Sequence, residues 1–130
     1  MAKYILHLCL LLLIGCASLE KRGELFEATT FKYENAIRWG YYELANDFMK
    51  VEGTDQKTPD FDKLQEIKVT TYELLKSRIA ESELQAYQTV EIKYYNTNDL
   101  IEKTLIDKQF WEFDREHKKW FLKSGFPELK

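Results

Sequence analysis

The sequence predicts an α+β fold in which N-terminal helices pack on a strongly curved antiparallel β-meander of about four strands. Between Glu24 and Met49, apolar and aromatic residues recur every three or four positions, which is the spacing of one helical face. From Ile67 onward, β-branched and aromatic residues alternate with polar ones in four long segments, as is typical of strands. The short, turn-like separators between these segments favour hairpin connections, so the sheet is expected to be antiparallel.

The helical half of the predicted domain carries an aromatic face. Gly40 is expected to divide this stretch into a longer helix and a shorter one that runs from Tyr41 to about Met49. A stripe with this spacing is more often part of a core than of a cofactor site, and we interpret it as core. The face consists of Phe26, Thr30, Tyr33, Ile37, Tyr41, Leu44 and Phe48.

Arg38 and Trp39 lie next to the predicted helix break and allow two interpretations. A guanidinium beside an indole is suited to an anionic or aromatic ligand. The interpretation that we favour places Trp39 at one end of the core and pairs Arg38 with the carboxylate of Glu34, one helical turn earlier.

A third, short helix is predicted before the sheet. Thr58 is a suitable N-cap, Pro59 suits the first helical position, and Asp60 places an acid in the first turn. This helix is expected to end near Glu66.

The predicted strands are long, which favours a twisted sheet with at least one bulge. They run from Ile67 to Ile79, Leu84 to Tyr95, Leu100 to Phe113 and Lys119 to Ser124. Alternation assigns one set of side chains to the face that the helices cover. This set consists of Leu84, Ala86, Val90, Ile92, Tyr94, Leu105, Trp111, Phe113, Trp120 and Leu122.

The first sixteen residues have the layout of an export signal. Lys3 precedes a run from Tyr4 to Ile14 that is apolar apart from His7, and small residues follow it. This order is typical of a secretory signal peptide, and the run is too short to span a bilayer. Leu13-Ile14-Gly15-Cys16 resembles the lipobox of bacterial lipoproteins.

The resemblance implies that residues 1–15 are removed and that Cys16 is lipidated on its sulfur and acylated on its new amine. Several acyl chains would anchor the protein in a membrane of the bacterial cell envelope. Because Ala17 rather than an aspartate follows the cysteine, the family pattern implies the outer membrane, on its periplasmic side. A plain secreted protein or a spanning anchor fits less well, because the chain turns polar at once. Residues 16–23 are expected to be a tether in which Gly23 interrupts any helix, and residues 24–130 a single domain.

Composition and charge exclude several classes of function. The net charge is −3, and the charges are scattered, so neither nucleic acid nor electrostatic adhesion to anionic lipid is expected. Cys9 leaves with the signal and Cys16 carries lipid, so no disulfide can form. His117 is the only histidine left, and it is expected in the turn between the last two strands, where a solvated role is favoured over catalysis. No metal or phosphate-binding motif occurs. We therefore expect no metal and no cofactor.

Three segments are similar to a group of small bacterial lipoproteins. They are Arg38-Trp39-Gly40 with Tyr41 to Ala45, then Ile92 to Tyr95, then Gln109-Phe110-Trp111 with Lys119 to Leu122 and Pro127. The order of helices and meander also resembles the cystatin-like α+β cone of the nuclear transport factor 2-like superfamily. That superfamily contains isomerases, dehydratases and polyketide cyclases as well as non-enzymatic binding and dimerising domains, so the resemblance leaves function open.

Polar residues on the predicted inner face are the candidates for a site inside the cone. By alternation, Asp107 and Gln109 share the face of Trp111. A buried Asp107 would have a raised pKa suited to a general acid or base. The alternative is that Asp107 lies at the open end of the sheet, or that a bulge turns it outward. Gln109 is expected to form hydrogen bonds with helix or loop backbone there, because a buried amide must be satisfied. The candidate pocket residues are Tyr33, Tyr72, Tyr94 and Gln109, although each of the three tyrosines fits a core position equally well. No residue is assigned a catalytic role beyond the candidacy of Asp107.

The opposite sheet face is the candidate interface. Large apolar side chains alternate there with charged ones, a pattern typical of protein interfaces. Cross-strand packing of exposed aromatic rings is the alternative explanation, and both remain open. The interface candidates are Tyr87, Tyr95, Ile106, Phe110 and Phe121.

Two hypotheses of function follow. The first is a membrane-anchored, non-catalytic binding or scaffold module that presents this aromatic face to a second copy of itself or to an envelope protein. The second is a small-molecule carrier, or an isomerase- or dehydratase-like enzyme, with its site inside the cone.

Overall fold

The fold is α+β: in the part of the chain that the structure describes, three helices precede a four-stranded antiparallel sheet, as the sequence predicts. The computed structural model describes residues 21–49 and 57–130. The predicted signal peptide and Cys16 lie outside these residues. Within these residues the elements are α1, which is helical throughout 21–38, α2 (Tyr42–Asp47), α3 (Phe61–Leu64), β1 (Ile67–Ile79), β2 (Gln85–Asn96), β3 (Glu102–Asp114) and β4 (Lys119–Leu122). The sheet has the order β1-β2-β3-β4 and is not closed.

Helix α1 includes residues that the sequence analysis assigned to a tether. Residues 21–23 are helical, so Gly23 does not interrupt the helix as predicted. The indole Nε1 of Trp120 donates to the backbone oxygen of Arg22 at 3.1 Å. The Arg22 guanidinium lies 5.2 Å from the centre of the Phe113 ring. These contacts with the sheet oppose the cost of a helical glycine, which is about 1 kcal/mol.

Gly40 ends α1, as predicted, and does so through its backbone conformation. Its φ of +73° is in the left-handed region that favours glycine. The N–H of Gly40 donates to Ile37 O at 3.2 Å, and the N–H of Tyr41 donates to Ala36 O at 2.8 Å. This pair of bonds is a Schellman motif, which satisfies carbonyl groups at the end of the helix.

The left-handed residue changes which side chains the following helix buries. The predicted face is confirmed in α1, where Phe26, Tyr33 and Ile37 are buried. Beyond Gly40 it is wrong at Tyr41 and Leu44, because a periodicity carried across the break assumes an unbroken helix, whereas Phe48 packs against the core as predicted. Tyr41 and Leu44 are exposed, and the buried residues in and beside α2 are Tyr42, Ala45 and Met49.

Helix α3 is shorter than predicted and has a different cap. Asp60, not Thr58, is the N-cap, and its Oδ1 accepts from the N–H of Lys63 at 3.2 Å. The helix ends at Leu64, whose side chain is buried, rather than near Glu66.

The predicted bulge occurs twice, both times in β1. The pairing of β1 with β2 shifts between Val69 and Thr71 and again between Leu74 and Lys76. Thr70 and Leu75 are the extra residues. Each shift reverses the odd-even alternation along β1, so Val69, Tyr72, Leu74 and Ile79 all lie on the inner face.

The core lies between the helices and the inner face of the sheet. The Phe26 ring of α1 lies 4.9 Å from the Trp120 ring and 6.1 Å from the Trp111 ring, measured between centroids. The hydroxyl of Tyr42 donates to Ile67 O at 3.0 Å and fixes α2 to the start of β1. The predicted inner-face residues Ala86, Val90, Ile92, Tyr94, Trp111, Trp120 and Leu122 are all buried.

Candidate functional site

Five polar or amphipathic side chains meet under α1 and form what we call the inner cluster. Its members are Tyr33, Tyr72, Asp107, Gln109 and Trp111. The cross-strand register brings its sheet residues together, because Tyr72 pairs with Ile92, and Asp107 and Gln109 pair with Val90 and Gln88 of the same strand. Asp107 thus lies on the inner face, which decides between the two orientations that its sequence position allowed.

Gln109 is the centre of the inner cluster. Its Nε2 donates to the Tyr72 hydroxyl oxygen at 3.0 Å and to Asp107 Oδ2 at 2.9 Å. Its Oε1 accepts from the indole Nε1 of Trp111 at 3.0 Å. The amide is therefore satisfied by side chains rather than by the helix or loop backbone that the sequence analysis expected, and it fixes the positions of three neighbours.

Tyr33 adds a hydroxyl without a partner. The side chain projects from α1 and is fully buried, with its ring 5.4 Å from the Trp111 ring in an edge-on arrangement. Among the described residues, its hydroxyl has no hydrogen-bond partner. Burial raises the pKa of Tyr33 well above its ordinary value, and Asp107 and then Tyr72 raise it further. Tyr33 is thus a neutral hydroxyl available to a polar group in the cluster.

Asp107 is the titratable group of the cluster that is best suited to acid–base chemistry. Burial raises the pKa of its carboxyl group, and the hydrogen bond from Gln109 opposes that rise. Burial also raises the pKa of Tyr72, against the same opposing amide. A carboxyl with a raised pKa next to a free hydroxyl can exchange a proton with a ligand or orient it.

Tyr94 does not belong to the inner cluster, although the sequence analysis grouped it there. It is buried on the inner face, opposite Val69 and Lys103 in the neighbouring strands. Its hydroxyl accepts from the N–H of Lys130 at 3.3 Å. Alternation correctly predicts which face of the sheet a residue lies on, but it does not predict which residues of different strands are neighbours.

A groove separates α1 from β1 next to the inner cluster. Its volume is about 560 Å³. Glu34 lines it, and this carboxylate is close enough to Tyr72 to raise the pKa of that hydroxyl. Its other lining residues include Phe26, Thr30, Phe31, Leu74, Ser77 and Gln88. The groove therefore lies beside the cluster at the edge of the sheet, and none of the five cluster side chains lines it.

The surroundings of Trp39 differ from the interpretation that we favoured. Arg38 does pair with Glu34, with 3.3 Å between Nη1 and Oε1, as predicted. Trp39 does not close the core, because 71% of its surface is exposed. Trp39 instead lines an open cleft of about 990 Å³, together with Tyr41 and Leu44.

The outer sheet face carries all five of the predicted interface residues. Tyr87 and Phe110 are cross-strand neighbours whose rings stack at 5.2 Å with 30° between their planes. The Arg78 guanidinium lies 4.8 Å from the centre of the Tyr87 ring. Ile106 is 47% exposed, and Tyr95 and Phe121 are half-buried. The described helices pack on the other face, so these rings meet solvent.

His117 lies in the turn between β3 and β4, as predicted. Its Nδ1 is 3.0 Å from Oδ2 of Asp114, and hydrogen bonds from His117 lower the pKa of that carboxyl. Within residues 21–49 and 57–130, no three histidine, cysteine, aspartate or glutamate side chains come together as metal ligands would. None of the described helices has the length and apolar character needed to cross a membrane.

Comparison of the chain with protein-family models, with curated proteins and with solved structures found no match.

Proposed function

We propose that this protein is a non-catalytic binding module of the bacterial envelope, held at a membrane by lipid on Cys16. Its domain, which we propose to be a nuclear transport factor 2-like cone, presents the outer sheet face to a protein partner in the envelope. The order of the elements supports the proposed domain type, since helices precede a bulged antiparallel meander. The Leu13-Ile14-Gly15-Cys16 sequence supports the anchor.

The observation that carries the proposal is the preformed aromatic stack on the outer face. Tyr87 lies between the Phe110 ring and the Arg78 guanidinium, so its orientation is fixed before any partner binds. A side chain that is already ordered loses little conformational entropy on binding. Tyrosine and arginine are also the residue types that most often dominate binding energy in protein interfaces.

Charges around the stack favour a protein partner over a lipid surface. On the same face, Glu91 and Lys93 form a pair with 3.8 Å between charged atoms. Lys108 and Glu112 flank Phe110 on β3. Because acids and bases alternate, the face has no single sign of charge that would attract anionic headgroups. A protein surface with mixed charges around apolar side chains is complementary to it.

The anchor and the face are tested by separate experiments. A Cys16→Ser protein should incorporate no acyl chain and should keep its signal uncut, as measured by fatty-acid labelling and mass. If this variant still acquires lipid and is processed, the anchor assignment is wrong.

The face is tested by cross-linking in intact cells followed by purification. The wild type should yield a discrete cross-linked envelope protein, and the Ile106→Lys variant and the Phe110→Lys, Phe121→Lys double variant should lose it. Tyr41→Lys is the matched control, because it places the same charge at an exposed aromatic residue just before α2, away from the face. Equal capture by all four proteins, each with a normal far-UV circular dichroism spectrum, would show that the outer face is not the binding surface.

A second function is favoured by one specific observation, the free hydroxyl of Tyr33 next to the Asp107 carboxyl. A small molecule that enters from the groove and carries a hydrogen-bonding group would satisfy this hydroxyl. The protein would then be a carrier, or an enzyme of the isomerase or dehydratase type. Native mass spectrometry of the purified protein should reveal the molecule, and Tyr33→Phe should reduce its occupancy. Unliganded mass in both proteins would remove this candidate.

A further inference from the structure

Strand β1 is the edge of the sheet and is long for an edge. It has 13 residues and pairs only with β2 among the described strands. No strand of the described residues pairs with its other side. A long free edge is usually blocked, because its unpaired N–H and C=O groups can accept another strand. The question is therefore what β1 pairs with.

The centre of this edge is apolar and exposed. Leu74 and Leu75 each have 51% of their surface exposed. Leu74 lies on the inner face opposite Val90, and Leu75 is the bulge residue that follows it. The exposure of two adjacent leucine side chains to water on an unpaired strand edge is unfavourable.

Two opposite charges flank these leucines, and neither has an ion-pair partner among the described residues. Glu73 lies directly opposite Glu91, a like-charge arrangement that destabilises a sheet. Lys76 lies opposite the neutral Thr89. Neither charge is in any of the ion pairs formed by residues 21–49 and 57–130. The edge thus has the order acid, leucine, leucine, base.

We propose that β1 pairs with β1 of a second copy of this chain, antiparallel and about a two-fold axis between Leu74 and Leu75. In this register each Glu73 faces Lys76 of the other copy, and each Leu74 faces Leu75 of the other copy. A two-fold axis makes every such contact occur twice. The same arrangement gives both unpaired charges an ion-pair partner and covers both exposed leucines.

The bulge at Leu75 is what makes this register possible. Residues that face each other across two strands share a side of the sheet. Glu73 and Lys76 are both on the outer face, and Tyr72 and Ser77 are both on the inner face, because Leu75 reverses the alternation between them. Without the bulge, a register centred between two residues would oppose inner with outer side chains.

The groove between α1 and β1 supports a strand at this position. β1 forms one wall of the groove, and no described strand lies beyond it. A second β1 added to the edge would extend the inner face under the open side of the groove, where Phe31 and Ile79 are exposed. Pairing would thereby shield these two side chains as well. This inference does not depend on the partner proposed for the outer face.

The experiment is a charge exchange, measured by sedimentation equilibrium of the full chain in mild detergent at low salt. The wild type is expected to dimerise. Glu73→Lys and Lys76→Glu should each weaken dimerisation by about tenfold or more, because each brings like charges together twice. The double variant should restore it, because opposite charges face each other again. Glu73→Lys removes the repulsion from Glu91, so the loss of dimer cannot be attributed to unfolding.

Lys108→Glu is the matched control. Lys108 lies in the same cross-strand row as Lys76 and pairs with Thr89 from the other side, but it belongs to β3, which is not an edge strand. It should leave edge pairing unchanged, whereas dimerisation through the outer face would respond to it. A wild type that stays monomeric at every concentration, or single variants that dimerise as the wild type does, would overturn the proposal. So would a double variant that fails to recover.

Discussion

Gln109 shows how one residue determines the chemistry of the inner cluster. Its amide takes part in three hydrogen bonds, to Tyr72, Asp107 and Trp111. The amide accounts for the geometry, but it does not cancel the effect of burial on Asp107, whose pKa stays raised. Ionising this carboxyl in the folded protein is therefore costly.

This cost predicts a pH dependence of stability. Because the folded state raises the pKa of Asp107, its contribution to stability is largest at low pH. That contribution declines as the pH rises from the unfolded pKa through the folded one. Asp107→Asn cannot ionise and retains an oxygen that accepts from Gln109. Relative to the wild type, it should lose less stability as the pH rises. Urea unfolding from about pH 3 to about pH 7 measures this difference, and parallel curves for the two proteins would contradict it.

The unpartnered hydroxyl of Tyr33 makes a second prediction at the same scale. Removing a buried hydroxyl that has no partner relieves an unfavourable desolvation, so Tyr33→Phe should raise the free energy of unfolding by about 1 kcal/mol. Tyr42→Phe is the control. It removes a hydroxyl that donates to Ile67 O at 3.0 Å, and should lower stability by about 1 kcal/mol. Equal losses in the two variants would mean that the Tyr33 hydroxyl has a partner after all.

At the level of elements, the glycine between α1 and α2 determines which residues reach the core. Gly40→Ala should destabilise the fold by roughly 1–2 kcal/mol, because an L-residue is disfavoured at a φ of +73°. The cost is in the backbone, since the added Cβ would approach the Tyr42 ring no closer than 3.7 Å. Gly23→Ala, inside α1, should instead stabilise by up to about 1 kcal/mol. Thermal unfolding distinguishes the two, and a stabilising Gly40→Ala would refute the conformational argument.

Local patterns predicted the strands better than the helices. The bounds of β1, Ile67 and Ile79, were predicted without error because β-branched and aromatic residues fill the strand and turn residues border it. The face of α2 was mispredicted because its phase depends on the conformation of one glycine, which periodicity does not report. The positions of the two bulges likewise depend on pairing with β2, so the sequence predicted that a bulge occurs but not where.

In the whole molecule, residues distant in sequence make the candidate sites. Alternation correctly placed Asp107 and Gln109 on the inner face, and helical spacing correctly placed Tyr33 in the core. Their meeting with Tyr72 depends on the cross-strand register and on how α1 crosses the sheet, which only the assembled fold defines. The exposed leucines of β1 were missed for a related reason. In the sequence they look like part of any strand, and only the strand order shows that β1 is an edge strand whose leucines are exposed.

The three tryptophans provide a test of this assembly in the complete protein. Trp111 and Trp120 are 0% and 2% exposed under the helices, whereas Trp39, at the α1–α2 junction, is 71% exposed. Removing the exposed indole leaves only buried emitters, so Trp39→Phe should shift the emission maximum to shorter wavelength and reduce quenching by acrylamide. Trp120→Phe is the control and should shift both in the opposite direction, because it removes a buried indole. If Trp39→Phe left the spectrum and the quenching unchanged, the junction would be covered and the exposed position of Trp39 would be wrong.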